Sequence, residues 1–231
     1  MPVKRVLVAE GAKPDRLLAE IERTSAERGV AIERVARREL DRRSERGAHQ
    51  GVMAEAAAFA FATLDDVLAR AGDASSALVI ALDHVTDPGN LGAIVRTAEV
   101  VGAAGVVVTE RRSAAVTPAA WKAAAGALAH VALAQETNLV RALERLKEAG
   151  FWIAGASEHA EQTVWQAPLE GRIVLVMGSE GAGLARLTEE RCDFLVRLPQ
   201  AGEIGSLNVA QAATAVAYEW LRRAHAAGDS A

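Results

Sequence analysis

Five side chains on three separated stretches have the types and spacing to handle a polar or charged ligand. Asn90 and Arg96 lie six residues apart in Asp87-Pro88-Gly89-Asn90-Leu91-Gly92-Ala93-Ile94-Val95-Arg96. Asp87-Pro88-Gly89-Asn90 is turn chemistry that opens a helix, on which the two polar residues fall not quite on one face. Arg96 stands among Ile94, Val95 and Ala98, so if that face is buried its guanidinium needs a partner or a ligand. Alone, such an arginine is equally a surface side chain lying over apolar neighbours. Glu180 sits in Gly178-Ser179-Glu180-Gly181-Ala182-Gly183, directly after an apolar run, where glycines let a ligand approach the backbone. Ser206 and Asn208 precede an Ala-rich helical run, where unpaired N–H groups and the positive end of the helix dipole suit a polar or anionic group. Ser206 also reads as a simple helix cap, and the two roles are compatible. Asn208 is then the cleaner probe of function, with a substitution expected to cost activity more than stability.

These loops need a scaffold that gathers them. From Ala77 onward apolar strands (77–82, 106–109, 131–133, 151–154, 173–177 and 194–198) alternate with helical runs (90–101, 118–125, 138–148, 188–192 and 207–223). That order predicts an α/β fold, a parallel sheet with helices on both faces, and sites beyond the carboxyl ends of the strands. The loops after Leu82, Met177 and Leu198 all fall at that edge. The glycine order at 178, 181 and 183 reverses the usual dinucleotide-binding pattern and comes late in the chain, against a nicotinamide dehydrogenase.

The first 60 residues read as a separate small α/β unit: a strand at 3–9, a helix at about 15–28 stopped by Gly29, a strand at 30–35 and an alternating segment at 52–61. We expect a domain at 1–62, a linker at 63–76 that opens with a short helix capped at Thr63 and running to Arg70 and continues in Ala71-Gly72-Asp73-Ala74-Ser75-Ser76, a larger domain at 77–226 and a tail at 227–231. The whole chain has a net charge of -4, which argues against coating nucleic acid through bulk charge. Residues 1–50 nevertheless hold 12 Lys/Arg against 9 Asp/Glu, with Arg34, Arg37, Arg38, Arg42, Arg43 and Arg46 clustered ahead of His49 and Gln50. That cluster is either a solvated helix face or a patch for RNA.

One cysteine, Cys192, excludes an internal disulfide framework and suits a reducing cytoplasm. No apolar run approaches the length of about 20 residues that crosses a bilayer. His130 and His159 lack metal-ligand spacing, so no metal is expected. Packing is expected of His84, and a core or surface place of Trp121, Trp152 and Trp165.

Taken in order, the three polar stretches resemble the motifs of the SpoU-type 2'-O-ribose RNA methyltransferases of the SPOUT superfamily: Asn90-x-x-x-x-x-Arg96, Gly178-x-Glu180-Gly181, and Pro199-x-x-Gly202 with Ser206-Leu207-Asn208. The likeness spans residues 77–218, and residues 1–60 with His49-Gln50-Gly51 look like the substrate-binding domain of the large-subunit rRNA branch. It implies a deep trefoil knot in the C-terminal domain, a ribosomal-protein-L30e-like N-terminal domain, a homodimer and S-adenosylmethionine as cofactor. The cofactor would be held at Gly178, Leu198, Ile204 and Leu207. The reaction implied is methyl transfer to the ribose 2'-hydroxyl of a guanosine in 23S rRNA, with tRNA as the nearest alternative substrate and a non-catalytic RNA-binding or assembly factor as the alternative of another kind. The family pattern makes Arg96 the base, with Asn90, Glu180, Ser206 and Asn208 orienting it or the substrate. Arginine is protonated at every ordinary pH, so we assign Arg96 as a cation that lowers the hydroxyl's pKa or grips a phosphate. Tyr218, Trp220 and Leu221 would face the partner subunit or the core.

Overall fold

The computed structural model describes residues 3–44, 49–203 and 205–228. Two compact units divide the chain, residues 1–60 and 61–231.

In the first, β1 (Val3–Ala9) is the middle strand of three, parallel to β2 (Ala31–Val35) and antiparallel to β3 (Val52–Ala56). Its alternation decides which helix covers which face. Val6 and Val8 pack with Leu18 of α1 (Arg16–Glu27), while Leu7 and Ala9 pack with Leu40 of α2 (Arg37–Arg43). Asp15 caps α1, its carboxylate accepting from the Leu18 amide at 2.7 Å. Arg37, Arg38, Arg42 and Arg43 therefore lie on the short helix α2, anchored through one buried leucine, while Arg34 lies on β2.

The second unit opens with α3 (Leu64–Ala71), started by a capping box in which Thr63 and Asp66 satisfy each other's backbone. Residues 63–76, expected as a linker, thus hold a helix whose Leu64, Val67 and Ala71 are buried in this unit's core. The short helix expected from Thr63 to Arg70 is thus present, its apolar stripe packed in this unit's core. The chain continues through β4 (Ala77–Leu82), α4 (Pro88–Val100), β5 (Gly105–Thr109), α5 (Pro118–Ala124), a 3₁₀ turn at Ala127–Ala129, β6 (Leu133–Glu136), α6 (Leu139–Glu148), β7 (Trp152–Ala156), β8 (Arg172–Met177), α7 (Arg186–Glu189), β9 (Phe194–Val196) and α8 (Val209–Gly228). The six strands form one parallel sheet in the order β6-β5-β4-β8-β7-β9. β4 and β5 are buried along their whole length, as expected of strands covered on both faces.

That order makes the β4–β8 boundary a switch point: from β4 the chain runs outward through β5 and β6, then returns to build β7 and β8 on the other side. The crevice beyond such a boundary is where ligands bind in open α/β sheets. The Asp83 amide donates to the Met177 carbonyl at 2.8 Å, continuing the pairing into the two loops that follow. Helix α8 begins at Val209, so Leu207 and Asn208 precede it, and β9 ends at Val196. Trp220 is buried and its indole N–H donates to the Gly171 carbonyl at 3.1 Å, so it belongs to the core; Tyr218 is exposed on the same helix. Cys192 is mostly buried, and desolvation first of all pushes its thiol up to about 12, which keeps it protonated and unreactive near neutral pH.

Helices α4 and α5 touch where Gly92 removes a side chain. A Cβ there would lie 2.3 Å from the Ala120 carbonyl oxygen and 2.8 Å from the Ala123 methyl. Gly92→Ala is expected to destabilise the larger unit by about 1–3 kcal/mol through overpacking, despite alanine's better helix propensity. Urea unfolding monitored by circular dichroism checks this; a variant as stable as the parent would show that the helices have room to separate.

Candidate active site

The site is built at the switch point. Asp83, at the end of β4, is buried, and its carboxylate accepts from the Ala185 amide at 2.7 Å while contacting His84 Nδ1 at 2.6 Å. It ties the loop after β4 to the loop after β8. Asp87 then caps α4, accepting from the Asn90 amide at 2.7 Å, with Pro88 at the first helical position. Asn90 is thereby held in the first turn with its side chain free to face the other loops.

The glycine turn after β8 closes on itself. Ser179 and Gly183 exchange backbone hydrogen bonds of 3.0 Å, and a Cβ on Gly178 would lie 2.2 Å from the Gly183 carbonyl carbon. Gly178 is therefore required by its own loop, whatever else approaches it. The tip of this turn carries Glu180, whose carboxylate accepts a hydrogen bond from Asn90 Nδ2.

From the third loop, Asn208 Nδ2 donates to Asn90 Oδ1 at 2.9 Å. Asn208 Oδ1 accepts from the Ala210 amide at 2.9 Å and the Gln211 amide at 3.4 Å, the geometry of a helix N-cap. Asn208, and not Ser206, is the cap of α8; Ser206 is exposed and makes no hydrogen bond among the described residues. The cap sets the polarity of the whole chain of bonds. With its carbonyl committed to the helix, Asn208 has only its NH2 to offer, Asn90 must answer with its carbonyl, and the Asn90 NH2 is left to meet Glu180.

Arg96 is exposed and lacks hydrogen-bond or ion-pair partners among the described residues. It lines a cleft of about 320 Å³ with Asn90, Thr97, Ala123, Asn208 and Thr214. Thr214 donates to the Ala210 carbonyl at 2.8 Å, so the 2.7 Å contact between the two hydroxyls makes Thr97 the donor to Thr214. This pair fastens α4 to α8 at the cleft. Sequence reasoning passed over both threonines; the available signal was a hydroxyl at 97 among apolar positions of a buried helix face.

Of the residues expected to hold the cofactor, Gly178 and Leu198 are partly buried, Leu207 is exposed, and Ile204 lies outside the described residues. None of the backbone N–H groups from Leu198 to Glu203, or from Gly205 to Leu207, donates a hydrogen bond among the described residues. A ligand would find unspent donors there, between two leucines.

In the smaller unit the expected basic patch is partly neutralised. Arg34 pairs with Glu22 at 2.8 Å, and Arg42 and Arg43 both bind Glu39 at 2.7 Å. These guanidiniums, Arg42 first, hold the Glu39 carboxyl down at about 2. Glu55 receives Arg5 and Arg43. The His49 ring is buried, Nδ1 accepting from the Gly51 amide at 3.0 Å and Nε2 facing Asp41 at 2.9 Å. Arg37 and Arg38 remain exposed and unpaired among the described residues, Gln50 adopts a left-handed backbone (φ +50°), and Arg46 lies outside the described residues. Arg37, Lys13, His49 and Gln50 border a cleft of about 480 Å³. No three His, Cys, Asp or Glu side chains gather as metal ligands among the described residues, and no described helix is long and apolar enough to cross a membrane.

Comparison with known proteins decides the family. Residues 77–218 match the SpoU rRNA Methylase family, and residues 1–62 match the RNA 2'-O ribose methyltransferase substrate binding domain. The chain belongs to the SpoU methylase family. It is 43% identical, over 98% of its length and 73% of the relative's, to an uncharacterized tRNA/rRNA methyltransferase of Mycolicibacterium vanbaalenii. It is 42% identical to the 23S rRNA (guanosine-2'-O-)-methyltransferase RlmB of Pseudomonas putida, over 96% of its own length and 89% of that protein's. The SpoU methyltransferase AviRb from Streptomyces viridochromogenes, solved in complex with AdoMet, superposes with a TM-score of 0.76 at 27% identity, covering 96% of this chain and 83% of that one. This SpoU methylase is thus a methyltransferase, and its three motif loops are those joined by the Glu180–Asn90–Asn208 bonds.

Because Asn208 is both helix cap and bridge, two substitutions should behave differently in this SpoU methylase. Asn208→Ala removes cap and bridge together and should cost about 1–2 kcal/mol of stability as well as activity, so it separates the two less cleanly than the residue's type suggests. Asn208→Asp keeps an acceptor at a helix N-terminus and should stay within about 0.5 kcal/mol of the parent near neutral pH, yet cannot donate to Asn90. Thermal unfolding beside methyl-transfer rates checks the pair: a fully active Asn208→Asp would remove the bridge from the account.

Proposed function

We propose that the chain methylates the ribose 2'-hydroxyl of a guanosine in large-subunit (23S) rRNA, using S-adenosylmethionine. The observation that carries the reading is the hydrogen-bonded run from Glu180 through Asn90 to Asn208 beside the uncompensated guanidinium of Arg96. A pure RNA binder has no need of that set, which weighs against the non-catalytic alternative. The identity to the Pseudomonas putida enzyme along nearly the whole chain supports guanosine in 23S rRNA over tRNA.

The residues present fit the cofactor. The loop from Leu198 to Leu207 offers unspent backbone donors to polar edges and two leucines to an adenine, and the glycine turn adds a closely approachable backbone. When bound, S-adenosylmethionine supplies an electrophilic methyl group. The protein must place the ribose oxygen in line and offset the negative charge that grows on it. Arg96 does the second, since no carboxylate among the described residues neutralises it, and a guanidinium that stays protonated is a poor base. Asn90, fixed at both ends of its amide, holds one wall of the cleft, and Ser206 supplies a hydroxyl at the entrance. In the smaller unit, Arg37, Arg38 and Gln50 are the exposed contacts for RNA, with Arg34, Arg42 and Arg43 contributing once their carboxylate partners exchange for phosphate.

The reading includes a cytoplasmic homodimer, a knotted C-terminal domain and an L30e-like first domain. Exposed Tyr218 on α8 supports the dimer, and the return of the chain from edge strand β9 to α8, packed on α4 and β8, supports the knot.

Labelled methyl transfer to in vitro transcribed 23S rRNA and to tRNA, followed by digestion to nucleosides, tests the reading. It predicts 2'-O-methylguanosine from rRNA alone; label confined to tRNA would replace the substrate. Arg96→Ala should lower kcat about 10²–10³-fold with S-adenosylmethionine affinity unchanged. Arg96→Lys restoring nearly full activity, with the pH optimum moved down, would favour a base.

A further inference from the structure

Several arginines of the larger unit already have partners. Those toward the amino edge of the sheet and the end of α8 are spoken for: Arg172 donates to the Gly72 and Ala74 carbonyls, Arg222 and Arg223 hold Glu219, and Arg145 pairs with Asp65. Arg111 and Arg112, on the loop from β5 to α5 at the carboxyl edge, are both exposed, and their guanidinium groups have no hydrogen-bond or ion-pair partner among the described residues. Their neighbour Glu110 does not bond them.

This loop is held in place. Thr109 Oγ1 donates to the Arg111 carbonyl at 2.8 Å, the Glu110 amide donates to the Glu136 carbonyl at 2.9 Å, and the Ala114 amide donates to the Val85 carbonyl at 2.9 Å. The last bond stitches it to the loop that carries Asp87 and leads into the helix turn holding Asn90. It then feeds α5, which presses on α4 at Gly92 and gives Ala123 to the wall of the Arg96 cleft. Arg112 has a left-handed backbone, φ +56°, a conformation an arginine adopts at a cost. A strained, unpaired cation on a pinned loop beside a reaction cleft points to a ligand that repays the strain.

We propose that Arg111 and Arg112 grip phosphates of the RNA strand next to the target nucleotide and so act as positioning residues for methyl transfer. The inference rests on the function proposed above. Two cations with no carboxylate to displace suit a polyanion, and the bonds to Val85 and Glu136 make their spacing a property of the folded loop.

The test uses the full chain, in vitro transcribed 23S rRNA and S-adenosylmethionine. The double variant Arg111→Gln/Arg112→Gln should raise the KM for RNA about tenfold, the loss expected of weakly held charged hydrogen bonds. It should also flatten the plot of log affinity against log salt by about 1.4, two phosphates at about 0.7 each. Affinity for S-adenosylmethionine should not change, Arg111→Lys/Arg112→Lys should recover most of the loss, and Arg222→Gln should match the parent. Arg112→Gly separates grip from structure: relieved of strain, it should be at least as stable as the parent while binding RNA more weakly. If the parent methylates RNA and the glutamine double variant has its KM and salt slope, the grip is overturned alone. If RNA binding depends on the arginines but no 2'-O-methyl group forms, the proposed reaction is overturned and the grip stands. No RNA binding by the parent overturns both.

Discussion

The unpaired amides at the start of α8 are the constraint on which the site depends. A helix entrance must find acceptors for its first N–H groups, and here one side chain, Asn208, supplies them. Because an amide has one carbonyl and one NH2, that commitment orients Asn208, then Asn90, then the contact with Glu180. A need of secondary structure is thus converted into a fixed order of donors and acceptors across three loops distant in sequence. Serine at the cap would satisfy the helix equally well, but its single rotating hydroxyl would impose no such order.

The sheet brings those loops within reach. β4 and β8 are adjacent and parallel, so the residues after them leave the same edge side by side, with buried Asp83 locking one to the other. The third loop arrives from β9 at the sheet's far side and is brought over α4 by α8, where Thr97 and Thr214 bond. Gly92 sets how closely α5 closes the opposite wall. Arg96 owes its uncompensated charge to this arrangement: the residues lining the cleft offer it amides, hydroxyls and methyl groups, and no carboxylate.

Much of this was legible in the residues. The apolar runs at β4 and β8 announce strands covered on both faces, and the three motifs resemble their family closely enough to nominate Asn90, Arg96, Glu180 and Asn208. What local reading missed depends on partners remote in sequence. Whether Ser206 or Asn208 caps α8 turns on where the helix begins, and Asn208 gains from a bond to a residue more than a hundred positions away. Arg43 has a local partner in Glu39 on the same helix, but its second partner, Glu55, lies on β3 and could not be read from nearby sequence. Trp220 could not be told from an interface residue without Gly171 as the acceptor for its indole. The helix at 64–71 was legible from its cap at Thr63, but its packing into the larger unit's core was not.

The central claim is that Glu180, Asn90 and Asn208 act as one unit whose polarity is set by the cap. A double-mutant cycle on kcat/KM with Glu180→Ala and Asn208→Asp tests it directly. With a carboxylate at each end, Asn90 has only one NH2 to share, so removing Glu180 lets its amide turn toward the new carboxylate. The account therefore predicts that the double variant is no less active than Asn208→Asp alone. Losses that multiply would mean that the two ends act independently and that the cap does not organise the site.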